Sequence, residues 1–278
     1  MPELSHYSIL ERSSVTITGA AGLNRPALVF LHGLGADQAT WRLLAPHFEP
    51  HYQLVQLDLV GAGRSRQADY DRDRHGNLAG HATDLLDVLR ILALDDVVFV
   101  GHSVGAMIGV IAAVREPRRF SKMVLISPSP RFINEKGYAG GFEQQDINEL
   151  LAAMEADYHG WSRGIAPVMM GPDESPELVM ELTNSFINSN PEIARHFARV
   201  TFLSDTRAEL SFLDTPTLVV QSAHDVIAPL AVGHYINEHL ANSRIAVIDT
   251  GGHCPHLSAP QQTLAAIDRF LGADARPG

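Results

Sequence analysis

Apolar residues in this chain gather in short unbroken runs, and the stretches between the runs carry helical spacing. Ala27-Leu28-Val29-Phe30-Leu31 is such a run, closed by His32-Gly33, and predicts a strand buried on both faces. Residues 52–57 predict a second strand ending at Asp58, and Val97-Val98-Phe99-Val100 a central one running straight into Gly101. Met123-Val124-Leu125-Ile126, Thr217-Leu218-Val219-Val220 and residues 244–248 predict three more. Val15-Thr16-Ile17-Thr18 alternates weakly, which fits an early strand in a hairpin at a sheet edge. Helices are expected at residues 40–48, 78–92, 106–114 and 261–270. The second of these is carried by Leu85, Val88, Leu89 and Leu92.

From residue 130 to 213 the pattern changes. No strand is expected there, only helical segments at 146–158, 176–188 and 191–203, divided by turn signals at Gly140-Gly141, Gly171-Pro172 and Asn190-Pro191. Strand–helix alternation on either side predicts an α/β chain with a mostly parallel central sheet flanked by helices. A helical block between two parallel strands reads as a cap inserted in the same domain. The expected division is residues 1–130 and 214–272 as core, 131–213 as helical cap and 273–278 as a flexible tail.

Composition narrows the function classes. With 278 residues, 45% of them apolar, the chain has ample material for one core. A net charge of −11 opposes a nucleic-acid surface, which needs clustered Lys and Arg, and opposes an anionic membrane surface. Cys254 stands alone, so neither an internal disulfide nor a cysteine metal site is expected. Residues 1–18 lack the apolar core of a signal peptide, and no run reaches the roughly 18 apolar residues of a membrane helix. The expectation is a cytoplasmic protein with neither nucleic acid nor membrane as partner.

Gly101-His102-Ser103-Val104-Gly105 brings in chemistry. Gly-x-Ser-x-Gly puts a serine on a sharp turn between strand and helix, with glycines where a Cβ would strike the neighbouring elements. Alone, the motif arises by chance in roughly one chain of this length in ten. Here a run of β-branched and aromatic residues precedes it and a small-residue helix follows. Ser103 is therefore the expected nucleophile, lifted to the C-terminal edge of the sheet, where open α/β sheets bind their ligands.

Such a serine needs a histidine base and a carboxylate that fixes the imidazole tautomer, in the chain order Ser, acid, His. Asp225 follows the strand at 217–220, and His253 follows the strand at 244–248 behind Gly251-Gly252. Rivals are His256, three residues further on, His224, which precedes the acid, and Asp249, which stands nearer the strand. Cys254 reads as a packed thiol. The backbone N–H groups of Val104 and Leu34 are the expected oxyanion donors, Leu34 lying in the loop His32-Gly33-Leu34-Gly35. His32 itself reads as a brace for that loop. Residues 58–65 are glycine-rich but lack the lysine of a P-loop and the spacing of a dinucleotide fingerprint.

With these residues assembled, the chain resembles a branch of the α/β-hydrolase fold that holds the bacterial RsbQ stress-response regulator and the plant strigolactone and karrikin receptors. The matching stretches are Gly33-Leu34-Gly35-Ala36-Asp37-Gln38 with Trp41, and Val98 through Ala106. Ser127-Pro128-Ser129-Pro130-Arg131-Phe132, Phe202-Leu203-Ser204-Asp205 and Gly252-His253-Cys254-Pro255-His256 match as well. The resemblance implies a four-helix cap over a deep apolar pocket lined by Leu34, Phe132, Trp161, Ile165 and Phe202. Ile165 stands where the plant receptors usually carry an aromatic residue.

Two functions follow as expectations. One is a cofactor-free serine hydrolase acting on an ester or lactone of a small, mostly apolar molecule through an acyl-enzyme. The other is a small-molecule sensor that signals through a protein partner with slow or no turnover. A dehalogenase of this fold is excluded, because it needs an aspartate where Ser103 stands.

Overall fold

The computed structural model describes residues 6–19, 25–172 and 175–272. The tail expected at 273–278 lies outside them. Seven strands are present: β1 (Thr16–Gly19), β2 (Ala27–Leu31), β3 (Gln53–Leu57), β4 (Val97–His102), β5 (Phe120–Ile126), β6 (Thr217–His224) and β7 (Ser243–Gly251). They form one sheet in the order β1-β3-β2-β4-β5-β6-β7. Every neighbouring pair is parallel except β1 with β3. β1 does lie at the sheet edge, but among the described residues the expected hairpin is not formed. Its partner is β3, two strands further along the chain, with Ile17 opposite Val55.

The unbroken apolar runs have a simple cause. Successive side chains of a strand point to opposite faces, and here both faces are covered. Val29, Leu31, Val97, Phe99, Met123, Leu125 and Val219 enter one core, under the helices α1 (Leu78–Ile91) and α2 (Val104–Arg115). Their neighbours Leu28, Phe30, Val98, Val100, Val124, Ile126, Leu218 and Val220 enter the other, with Trp41, Phe48, Leu264 and Ile267. A strand with a polar residue at every second position could not satisfy both.

Between β5 and β6 lie four long helices: α3 (Gln144–Ala156), α4 (Tyr158–Met170), α5 (Pro176–Ile187) and α6 (Pro191–Phe202). Local capping explains their starts. Ser175 and Asn190 accept backbone N–H groups of the first turn, each followed by a proline that has no N–H needing an acceptor there. Glu143 and Asp146 form a reciprocal capping box on α3. Ion pairs tie the two ends of this helical segment together, Arg131 and Arg207 each pairing with both Glu135 and Asp205.

Two of the longer helices have no counterpart in the sequence expectations, nor do the short ones His6–Arg12, Arg207–Leu210 and Pro255–Ser258. Helix α4 follows directly on the helix expected at 146–158, over residues where none was expected, because Gly160, Gly164 and Pro167 break its periodic pattern. Its start is nonetheless marked, Asp157 Oδ1 accepting the Gly160 N–H at 2.9 Å. Helix α7 (Leu230–His239) follows β6 and has no side-chain cap. The helix expected at 40–48 is split into a 3-10 turn, Gln38–Trp41, and a short helix, Ala45–Phe48, that begins with Pro46 in its first turn. The closing helix, α8, runs Pro260–Gly272. Among the described residues no helix is long and apolar enough to cross a membrane.

Candidate active site

Ser103 occupies the single residue between β4 and α2 and adopts φ 53°, ψ −124°. That left-handed φ is costly for a residue with a Cβ, and the turn is held by its neighbours. A Cβ on Gly105 would lie 2.3 Å from the His32 carbonyl oxygen, and one on Gly101 would lie 2.7 Å from the Ala106 Cα. The glycines of the motif are therefore steric requirements. They let α2 press its first turn against the loop after β2.

Three side chains from three loops meet at the C-terminal edge of the sheet. Ser103 Oγ lies 2.8 Å from His253 Nε2, and His253 Nδ1 lies 2.7 Å from Asp225 Oδ2. All three residues are buried. Asp225 directly follows β6, and its Oδ1 accepts the backbone N–H groups of Ile227 and Ala228 at 2.8 and 3.0 Å. Gln221 steadies it from the strand, donating to the Ala228 carbonyl oxygen and reaching Asp225 Oδ2 at 3.4 Å. A carboxylate so held faces the imidazole with one oxygen only.

The rivals stand elsewhere. His256 is buried, with Nε2 2.8 Å from Thr40 Oγ1. His224 is exposed, and its carbonyl oxygen accepts the Gly252 N–H. Asp249 lies exposed inside β7. Cys254 is a buried thiol.

His253 is clamped through its backbone. Its N–H donates to the Met169 carbonyl oxygen at 2.6 Å. His102 Nε2–H donates to its carbonyl oxygen at 2.9 Å. Burial, with the neighbouring His256 and His253, holds the pKa of His102 well below the usual histidine range. His256 is lowered to about 3, first by burial. Both therefore pack as neutral rings.

Leu34 and Val104 present backbone N–H groups beside Ser103, and neither donates to another protein group. The loop carrying Leu34 packs on the serine turn, since a Cβ on Gly33 would lie 3.1 Å from Ser103 Cβ. His32 braces this loop. Its Nδ1–H donates to the Gly33 carbonyl oxygen at 2.8 Å, and its Nε2 accepts the Leu59 N–H at 3.0 Å. The glycine-rich loop after β3 is tied down by Asp58, which accepts backbone N–H groups of Gln38 and Arg64.

A cavity borders Ser103 and His253. Leu34, Phe132, Trp161, Ile165 and Phe202 line it, joined by Met169, Phe186, Thr201 and Ile227, which sequence reasoning missed. Ile227 had a readable signal, two residues beyond the acid on the same loop. The others had none, because the inward face of a helix is set by its packing. The cavity is apolar and small, with a volume of about 20 Å³. That is room for about one water molecule. The larger concavity of about 570 Å³, between α1, α2 and α6, touches neither Ser103 nor His253.

Among the described residues one cluster has metal-ligand character, His75, His81 and Asp84, away from Ser103. Asp84 is already bound by Arg12, Arg74 and His75, and those guanidinium groups oppose a cation there.

Comparison with known proteins places the chain in a family. The sequence profile of the family described as alpha/beta hydrolase fold matches residues 26–260. Strigolactone esterase D14 of Arabidopsis thaliana is 39% identical over 270 residues, 96% of this chain and 99% of that protein. Karrikin insensitive 2 receptor IA of Petunia hybrida is 39% identical over 254 residues, 91% of this chain and 93% of that one. The solved structure of a hydrolase from Oleispira antarctica superposes with a TM-score of 0.93 at 35% identity, covering 98% of both chains.

Proposed function

The chain belongs to the α/β hydrolase fold family, and on that premise we propose that Ser103, His253 and Asp225 cleave an ester or lactone of a small, mostly apolar molecule. The observation that carries this reading is the continuous hydrogen-bonded line from Ser103 Oγ through His253 to Asp225, at 2.8 and 2.7 Å. Names of relatives such as strigolactone esterase support the bond type.

In the mechanism, His253 Nε2 takes the Ser103 proton as Oγ attacks the carbonyl carbon. The carbonyl π pair moves onto oxygen, where the Leu34 and Val104 N–H groups receive it. On collapse the C–O bond to the leaving group breaks, and the imidazolium returns its proton to that alkoxide. Water repeats the sequence on the acyl-enzyme and frees Ser103. Asp225 keeps the Nδ1–H tautomer and stabilises the imidazolium. None of these steps uses a cofactor.

Residues 131–213 act as the cap in this reading, supplying Phe132, Trp161, Ile165 and Phe202 to the substrate pocket. Turnover of p-nitrophenyl acetate by wild type, Ser103→Ala and His253→Ala tests the assignment. Activity is expected to vanish in both variants, and undiminished activity in both would overturn it.

The 20 Å³ cavity favours a second role beside the first. A small ester exceeds this volume, so in this reading the lining side chains, most of them from residues 131–213, move when ligand enters. In this second role that movement presents a surface to a protein partner, as expected of a sensor. Capture from the native cell with and without Ser103→Ala tests this. A partner bound only with ligand present is expected, and none would count against sensing.

A further inference from the structure

Thr201 carries the one hydroxyl among the residues lining the cavity that takes no part in the Ser103–His253–Asp225 line. It lies in the last turn of α6 and is only 1% exposed. Its Oγ1 has no hydrogen-bond partner. Three other helical hydroxyls behave differently. Thr83, Thr183 and Ser162 each donate to the carbonyl oxygen four residues back, at 2.7–2.8 Å. Thr201 forgoes that bond to Phe197, although its place in the helix allows it.

A buried hydroxyl without a partner is destabilising unless something arrives to use it. Around it stand Phe132, Trp161, Ile165, Phe186 and Phe202, none of which offers a side-chain acceptor. We propose that the Thr201 hydroxyl is a specificity group, hydrogen-bonded in the complex to a second oxygen of the substrate. The substrates are then oxygenated esters or lactones, carrying an ether, hydroxyl or carbonyl oxygen apart from the scissile carbonyl. This rests on the hydrolase reading given above.

The physical basis is asymmetric. An apolar wall discriminates weakly between a methylene and an oxygen, whereas a wall with one waiting hydroxyl rejects the substrate that leaves it unpaired. Thr201 thus converts a greasy pocket into one that reads a single polar atom.

The experiment compares wild type, Thr201→Val and Thr201→Ser on isosteric ester pairs. On the acyl side these are p-nitrophenyl hexanoate and its 3-, 4- and 5-oxa analogues. On the alcohol side they are pentyl acetate and 2-ethoxyethyl acetate, followed by acid release. In Thr201→Val at least one oxygenated ester is expected to lose kcat/KM by roughly tenfold relative to its hydrocarbon partner. Thr201→Ser, which keeps the hydroxyl, should retain the wild-type preference. The Tm of ligand-free Thr201→Val should rise, since an unpaired hydroxyl has been removed. The same loss for every pair, or a fall in that Tm, would overturn the proposal. Absence of turnover by wild type on all the esters would instead overturn the hydrolase reading beneath it.

Discussion

The backbone N–H of His253 donates to the carbonyl oxygen of Met169 at 2.6 Å, joining the loop after β7 to the last turn of α4. The last carbonyls of a helix have no partner within it, and Met169 spends one of them on the proposed base. From the opposite side His102 holds the His253 carbonyl oxygen. The imidazole is therefore fixed jointly by the core and by the helical segment, and a shift of α4 is felt at Ser103.

Gly252 makes that junction possible. It adopts φ +74°, and a Cβ on it would lie 2.1 Å from the Met170 carbonyl oxygen. Gly252→Ala should displace α4 from the loop and lower kcat by about a hundredfold or more, as small misplacements of catalytic groups do. Kinetics beside a circular dichroism melt check this; wild-type kcat with an unchanged Tm would refute it.

Asp225→Asn keeps the shape of the side chain but favours the wrong imidazole tautomer. A loss in kcat of about 10⁴-fold is expected with little change in KM. Because Oδ1 still accepts from Ile227 and Ala228, the loop should persist and stability should fall little. Steady-state kinetics and a urea titration on one preparation measure both effects.

Acid should loosen the fold before its carboxylates titrate. Burial lowers His81 and His256 to about 3 and His102 well below the usual value. In the unfolded chain they regain the ordinary histidine value near 6.5. The unfolded state therefore binds more protons, so stability is full above about pH 6.5 and is lost as pH falls. Each group contributes a slope of about 1 kcal/mol per pH unit between pH 6.5 and 5.5. Urea unfolding at those pH values should show His81→Leu with the shallower slope; a slope equal to wild type would refute the assignment.

Trp161 meets Phe186 edge-on with ring centroids 5.4 Å apart, and the pair closes the cavity from α4 and α5. Trp161→Ala should open it, raising kcat/KM for bulky acyl groups relative to acetate. The loss of packing should destabilise the protein by about 2 kcal/mol. A p-nitrophenyl ester series of increasing chain length reads the first effect. No change in chain-length preference would show that the wall lies elsewhere.

The sequence by itself determined most of the strands and which side chains meet along their C-terminal edge. β2, β4, β5 and β6 were legible because burial on both faces demands unbroken apolar runs, and that demand is local. Ser103 was legible because the turn needs Gly101 and Gly105, whose missing Cβ atoms are written in the chain. Asp225 and His253 followed from strand order, since parallel strands deliver their loops to one edge.

Tertiary structure decided the rest. Helix α4 reads poorly because Gly160, Gly164 and Pro167 weaken its pattern, and packing sustains it, with Tyr158 bonded to the Phe186 carbonyl oxygen and Trp161 against the Phe186 ring. The edge strand β1 found β3 in place of a hairpin partner, a long-range choice that no local pattern encodes. The same holds for the cavity. Whether Thr201 or its neighbour Val200 faces Ser103 depends on how α6 is rotated against the core, and how small the space is depends on every side chain that fills it. A sequence carries the identities of those side chains, but only packing fixes their directions.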